Sequence, residues 1–276
     1  MRVGLVQLTS SDDPQENLLT TSNLLAEAVG QGARFVLTPE VTNCVSASRK
    51  RQNEVLTTED KDMTLAMLQS EAARHKIWLL IGSLALKAEN DDRFVNRSFL
   101  ISPEGRITAR YDKMHMFDVT ISEVETYRES DGYRAGDRAV LGAVDDVPVG
   151  LTICYDLRFP YLFRGLAKSG AKIITVPSAF SPDTGAAHWE VLLRARAIET
   201  GSFILAPAQC GTHPTSRGRQ RSTYGHSLVV DPWGCVLSDG GEMPGVQVVD
   251  LKLDEVDDMR RRIPSLTHER IYIKAE

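Results

Sequence analysis

Residues 147–160 read VPVGLTICYDLRFP, and this stretch constrains the fold most. An apolar run from Val147 to Ile153 ends in Cys154, an aromatic and an acid follow, and Pro160 opens a helix-like segment. A buried strand that hands a cysteine to a strand-to-helix junction belongs to an open α/β sheet, where sites form beyond the carboxyl ends of strands. Taken alone, a cysteine closing a hydrophobic strand is as well explained by core packing, because free cysteine is among the most buried residue types.

The same alternation runs through the chain. Val3 to Leu8, Arg34 to Leu37 and Ile77 to Ile81 read as short apolar strands. Between them, Pro14 to Val29 and Asp62 to His75 carry leucines and alanines at helical spacing, and Gly30 and Gly32 end the first of these helices. Residues 41–61 are polar and read as a long loop. Phe94 to Ile101 and Arg106 to Tyr111 flank SPEG and form a hairpin, after which residues 112–138 lack periodicity and read as a long functional loop. Beyond the strand at Val147, a helix over Tyr161 to Lys168, a strand over Lys172 to Val176, a helix over Ala186 to Thr200 and a strand over Phe203 to Ala208 follow. Gly225 to Val230 and Cys235 to Ser238 turn at DPWG, Val246 to Leu251 is the last core strand, and Asp254 to Arg262 is a helix with acid first and base last, as its dipole favours. The pattern is α/β: two mixed sheets packed together and covered by helices, in one domain over residues 1–276.

Composition narrows the function classes. The 276 residues are 42% hydrophobic and 25% charged, with a net charge of -5, so neither nucleic acid nor an anionic membrane is an expected partner. No run approaches the ~20 apolar residues of a membrane span, and MRVGLVQL reads as a strand, not a leader. Cys44, Cys154, Cys210 and Cys235 are far apart, which suits free thiols in a reducing cytoplasm. A GxSxG elbow, a phosphate loop, HExxH and a dinucleotide fingerprint are all missing from the sequence, so no metal or cofactor is expected. The basic stretches at Arg49–Arg51 and Arg217–Arg221 lack interleaved aromatics and suit solvated loops or anion-contacting edges.

What remains is a set of polar residues at strand ends: Glu40 after LTP, Lys113 after the strand ending at Tyr111, and Cys154 after Ile153. Here TPE at 38–40, YDKMHMFD at 111–118 and GLTICYDLRFP at 150–160 occur in order. With these three segments the chain resembles the nitrilase-like carbon–nitrogen hydrolases along essentially its whole length. Within them PSAFSPDTGAAHWEVLLRARAIE, APAQCG and YGHSLVVDPWG are similar to the amidases of deaminated glutathione.

The resemblance implies a four-layer α-β-β-α sandwich and a homo-oligomer, commonly a pair formed through the helical layer beside the nucleophile. It implies Cys154 as nucleophile, Glu40 as general base, Lys113 as the charge-stabilising residue and a second glutamate after the lysine. Glu129 in RES is the best match for the last, ahead of Glu123 and Glu125. The chemistry agrees. A thiol of ordinary pKa near 8.5 needs a proton acceptor or a cation beside it at neutral pH, and an oxyanion forming on an attacked amide needs donors such as Lys113 and the Tyr155 N–H. Collapse expels ammonia with a proton from Glu40, and water then cleaves the thioester. The substrate is a small amide, first of all a deaminated glutathione-like ω-amide. The alternatives are an N-carbamyl amide hydrolase or nitrilase using the same residues, and a catalytically silent interaction protein. Arg158, which is also suited to a structural pair with Asp156, and Ser178, Ala179, Phe180, His188, His213 and Arg217 are the candidate substrate contacts.

Overall fold

The computed structural model describes residues 1–120 and 126–273. In chain order the first half contains β1 (Arg2–Gln7), α1 (Pro14–Gly30), β2 (Phe35–Leu37), α2 (Arg49–Val55), α3 (Met63–His75), β3 (Trp78–Lys87), β4 (Phe94–Ile101) and β5 (Ile107–Asp112). A small hairpin, β6 (Asp118–Thr120) and β7 (Thr126–Arg128), precedes the second half. That half runs through β8 (Val140–Val144), β9 (Val147–Leu151), α4 (Pro160–Lys168), β10 (Ile173–Thr175), α5 (Pro182–Thr200) and β11 (Phe203–Ala206). It ends with β12 (Cys210–Thr212), β13 (Ser222–Tyr224), β14 (Leu228–Val230), β15 (Val236–Asp239), β16 (Gly245–Asp250) and α6 (Asp254–Arg262).

Two six-stranded mixed sheets result, in the orders β16-β1-β2-β3-β4-β5 and β15-β14-β11-β10-β9-β8. Each has three parallel strands at its centre, flanked by antiparallel ones. Strand periodicity explains how they stack. Val3, Leu5, Phe35, Leu37 and Leu80 point into a core shared with Val149, Leu151, Ile173 and Leu205 of the other sheet. Their neighbours Val6, Val36, Leu79 and Ile81 point the opposite way, onto Leu25 and Ala28 of α1 and Leu65, Leu68 and Ala72 of α3. On the far side, Leu162 and Phe163 of α4 and Trp189 and Leu193 of α5 cover the second sheet. The layers are therefore helix, sheet, sheet, helix. Among the described residues no helix is long and apolar enough to cross a membrane.

Three segments depart from the sequence reading. Residues 41–61 contain α2 and a 3₁₀ turn, Glu59–Lys61. Its sequence RKRQNEV buries only Gln52, so no apolar stripe announces the helix, although Ser48 caps it by accepting from the Arg51 N–H. The 112–138 loop contains β6, β7 and a 3₁₀ turn over Glu129–Asp131. Val140–Val144 is a strand paired with β9 through a tight turn in which Asp145 adopts φ 51.

Candidate active site

Three strand ends meet between the sheets. The first carries Glu40, just past β2. Here the chain turns sharply. Thr42 Oγ1 bonds Thr38 Oγ1 and Pro39 O, both at 2.8 Å, and the Val41 N–H donates to Ser83 Oγ at 2.8 Å. Gly82 of β3 passes so close to this turn that a Cβ there would lie 2.0 Å from Thr38 O, so only glycine fits. The Glu40 carboxylate is buried and fully engaged. Lys113 Nζ and Asn96 Nδ2 donate to Oε1 at 2.8 Å each, and the Ala179 N–H donates to Oε2 at 2.8 Å. Asn96 Oδ1 has no partner, so the amide stands with its NH₂ toward the carboxylate.

Lys113 leaves the end of β5, and its own N–H donates to Asn96 O at 3.0 Å. Its ammonium lies 2.9 Å from both oxygens of Glu129, whose Oε2 also accepts from the Phe117 N–H at 2.6 Å. Glu40, Lys113 and Glu129 thus form one carboxylate–ammonium–carboxylate chain. Glu123 and Glu125 lie outside the described residues. Burial pushes the lysine toward its neutral form, but the charges of Glu129 and Glu40 outweigh it and hold the pKa well above the usual value. Burial likewise pushes Glu40 up, and the Lys113 ammonium overrides it, leaving the carboxyl below its ordinary range.

The third strand end is the one that opens the sequence analysis. Cys154 begins a 3₁₀ turn, Cys154–Arg158, with φ 48, a left-handed conformation unusual for a residue with a Cβ. Four bonds hold it there: the Cys154 N–H to Pro177 O at 2.9 Å, the Ile153 N–H to Asp156 Oδ2 at 2.8 Å, the Asp156 N–H to Ile153 O at 3.1 Å and Tyr111 Oη to Asp156 Oδ2 at 2.6 Å. His115, stacked on Phe159, faces Asp156 Oδ1 through Nδ1 at 2.6 Å. The Cys154 thiol is buried in the same cavity as Glu40; burial, then the Glu40 charge, push its pKa up against the opposing pull of Lys113. The resting pair is therefore a thiol beside a carboxylate. All of these catalytic candidates line one cavity of about 430 Å³, whose walls also include Tyr133, Tyr155 and Phe180.

Comparison with known proteins now decides the family. Residues 2–261 match the family model described as carbon-nitrogen hydrolase. The chain belongs to that family. This carbon-nitrogen hydrolase is 37% identical over 271 residues to the deaminated glutathione amidase of Synechocystis sp., covering 97% of both chains. Its fold matches the NitFhit protein of C. elegans with a TM-score of 0.89 at 33% identity, over 98% of this chain and 65% of that longer one. It matches Saccharomyces cerevisiae Nit3, of branch 10 of the nitrilase superfamily, with a TM-score of 0.86 at 26% identity, over 98% and 97% of the two chains.

The remaining candidate residues of the hydrolase divide. Ala179, Phe180 and Tyr155 line the cavity. No hydrogen bond to another backbone group engages the Tyr155 N–H among the described residues. Ser178 does not line it: it is buried and its Oγ donates to Val176 O at 3.0 Å. Arg158 pairs with His188 Nδ1 at 3.3 Å and packs over Tyr155 and Phe180; Asp156 is occupied by backbone, Tyr111 and His115 instead. Arg217 bridges to Glu54 of α2 at 2.8 Å, outside the cavity. His213 is buried between Ser10 O and Thr223 Oγ1, at 2.8 and 2.7 Å. Arg158, Ser178, His188, His213 and Arg217 are therefore not among the residues that line the cavity. Cys44 lines the cavity, but burial pushes its thiol up to about 12, while Cys210 is buried beside Thr9. Asn96, a cavity residue, escaped the sequence reading, and an asparagine inside the otherwise apolar FVNRSFLI was the available signal; Arg221, also in the lining, was read only as part of the basic 217–221 stretch.

His213 has a measurable consequence. Burial lowers its pKa from 6.5 to about 4, so between those values the unfolded chain binds a proton that the folded one refuses. Stability then rises with pH through this window, and its loss on acidification reaches about 3 kcal/mol. The expected result is a melting temperature that falls from pH 6.5 to pH 4, with a shallower fall in His213→Gln. Equal slopes in the two proteins would remove His213 as the cause.

Proposed function

We propose that this hydrolase cleaves a small ω-amide of the deaminated glutathione type through a thioester on Cys154. The observation that carries the reading is the convergence of Cys154, Glu40 and Lys113 on one cavity. Sulfur attacks the amide carbon while Glu40 takes the thiol proton, as a thiol resting beside a carboxylate requires. The oxyanion is stabilised by Lys113 and the Tyr155 N–H. Lys113, held as a cation between two carboxylates, acts as fixed charge and gives up no proton. Glu129 keeps Lys113 oriented. Collapse breaks the C–N bond as Glu40 returns its proton to nitrogen. Water, deprotonated by Glu40, then attacks the thioester and frees the acid and the thiol.

The similarity to deaminated glutathione amidases supports the substrate class. In deaminated glutathione the ω-amide nitrogen belongs to cysteinylglycine, so an amine leaves; ammonia leaves only from a primary amide. The test is therefore release of the 2-oxo acid from deaminated glutathione and from primary ω-amides, beside N-carbamyl amino acids and nitriles. Turnover confined to ω-amides is expected. Carbon dioxide released from a carbamyl compound would assign the N-carbamyl alternative instead. We also propose a homodimer formed through the α4–α5 layer, supported by the exposed apolar side chains of Tyr161, Val191 and Ile198. Sedimentation of the same preparation as a monomer would end that part.

A further inference from the structure

The two basic stretches at 49–51 and 217–221 are distant in sequence and adjacent in the fold. The loop between β12 and β13 lies against α2 and the segment before α1. Asp12 accepts from the Ser216 N–H at 2.9 Å and from Ser216 Oγ at 2.8 Å, Arg217 reaches Glu54 of α2, and Gly218 at φ 92 sits so close to Ser48 that a Cβ would come within 3.1 Å of it. Through this contact Arg221 and Arg49 both enter the wall of the catalytic cavity.

Their guanidinium groups share an unusual situation. Neither has a carboxylate in salt-bridge range among the described residues; each is held by neutral groups. Arg221 Nη2 donates to Ala179 O at 2.7 Å, and the Ala179 N–H holds Glu40. Arg49 donates to Gly132 O and, at 2.7 Å, to Asp92 O, and lies 4.1 Å over the Phe94 ring. Beyond the Glu40–Lys113–Glu129 chain, the cavity lining carries three arginines, Arg49, Arg128 and Arg221, against the single carboxylate of Asp131. A guanidinium oriented by carbonyls keeps its charge and part of its donor fork for an incoming oxyanion.

We infer that Arg221, with Arg49 also in the cavity lining, forms a carboxylate-binding subsite that selects ω-amides carrying a free acid at the acyl end. The inference rests on the amide-hydrolase reading and adds its specificity residue. Arg221 is one residue removed from the catalytic carboxylate through Ala179, and the proposal assigns it to the acyl side of the scissile bond. His213 supports it by donating its N–H to Arg221 O at 2.9 Å.

The test compares glutaramate, a primary amide with a terminal carboxylate, with pentanamide, its uncharged analogue. In Arg221→Met the ratio of kcat/KM for glutaramate to that for pentanamide is expected to fall about 10- to 100-fold, the worth of a charge-assisted hydrogen bond, with partial recovery in Arg221→Lys. A merely structural arginine would lower both substrates together and leave the ratio where it was, which overturns the subsite. Glutarate binding to the Cys154→Ala protein, read by calorimetry, tests the subsite without turnover. Salt-sensitive binding there, beside silence on every ω-amide, keeps the subsite and sinks the proposed reaction. Turnover without glutarate binding does the reverse. If Arg221→Met does not fold, Arg221→Lys and the salt dependence in the parent protein separate the same two outcomes.

Discussion

Cys154→Ala is expected to lower ω-amide turnover by at least about ten-thousand-fold while leaving the fold intact, because removing a covalent nucleophile removes the whole two-step route. The fold survives for a local reason. Alanine and cysteine both carry a Cβ, so the strain at φ 48 is the same, and the bonds that hold the turn come from Ile153, Asp156 and the Cys154 backbone, not from the thiol. Residual activity above about 1% of the parent rate, in protein free of contaminating enzyme, would mean that sulfur is not the attacking atom.

Lys113→Met carries the second large effect. The lysine is 2% exposed and bridges Glu40 and Glu129, so its loss leaves two carboxylates facing one another across an apolar side chain. Breaking such a buried cluster costs about 3–5 kcal/mol, and the oxyanion loses its cation, for a rate loss on the order of a hundredfold or more. The pH dependence follows from the sign of the change. With the cation gone, burial raises the carboxyl pKa above its unfolded value, so one carboxyl is most easily accommodated when protonated. The variant's deficit in melting temperature should be large at pH 8 and shrink toward pH 5. A deficit independent of pH would argue that lost packing, not stranded charge, is the cause.

Much of the architecture was legible because apolar alternation is a backbone-level signal. Val3 and Leu5 face one core and Val6 the other, as period-two residues must, and the Val147–Ile153 run delivered Cys154 to the cavity. The strand ends holding Glu40 and Lys113 were visible for the same reason, and family resemblance supplied their partnership. What stayed hidden was held by single polar contacts. The helix Arg49–Val55 has one buried residue, and the β12–β13 hairpin is three residues a side. Arg217 and Arg221 are four positions apart in one basic loop, yet one turns to Glu54 and the other into the cavity. His213 reads in the sequence as a candidate substrate contact in a polar loop and is buried with its two ring nitrogens on Ser10 O and Thr223 Oγ1. Side-chain direction in a loop depends on which distant segment it meets, and spacing carries no trace of that.

The pairing of β16 with β1 sets an order of assembly. Gln7 to Arg2 lie opposite Gly245 to Asp250, so β1 is flanked on one side by a strand made some 240 residues later. Until residue 250 has emerged, a growing chain presents the bare N–H and C=O groups of β1, in a segment rich in valine and leucine, to anything nearby. Synthesis therefore passes through a long interval in which this edge is open to self-association, and a chain cut short before Gly245 never closes it. A slow, aggregation-exposed refolding follows from the same geometry, because the contact that seals the sheet joins residues some 240 positions apart.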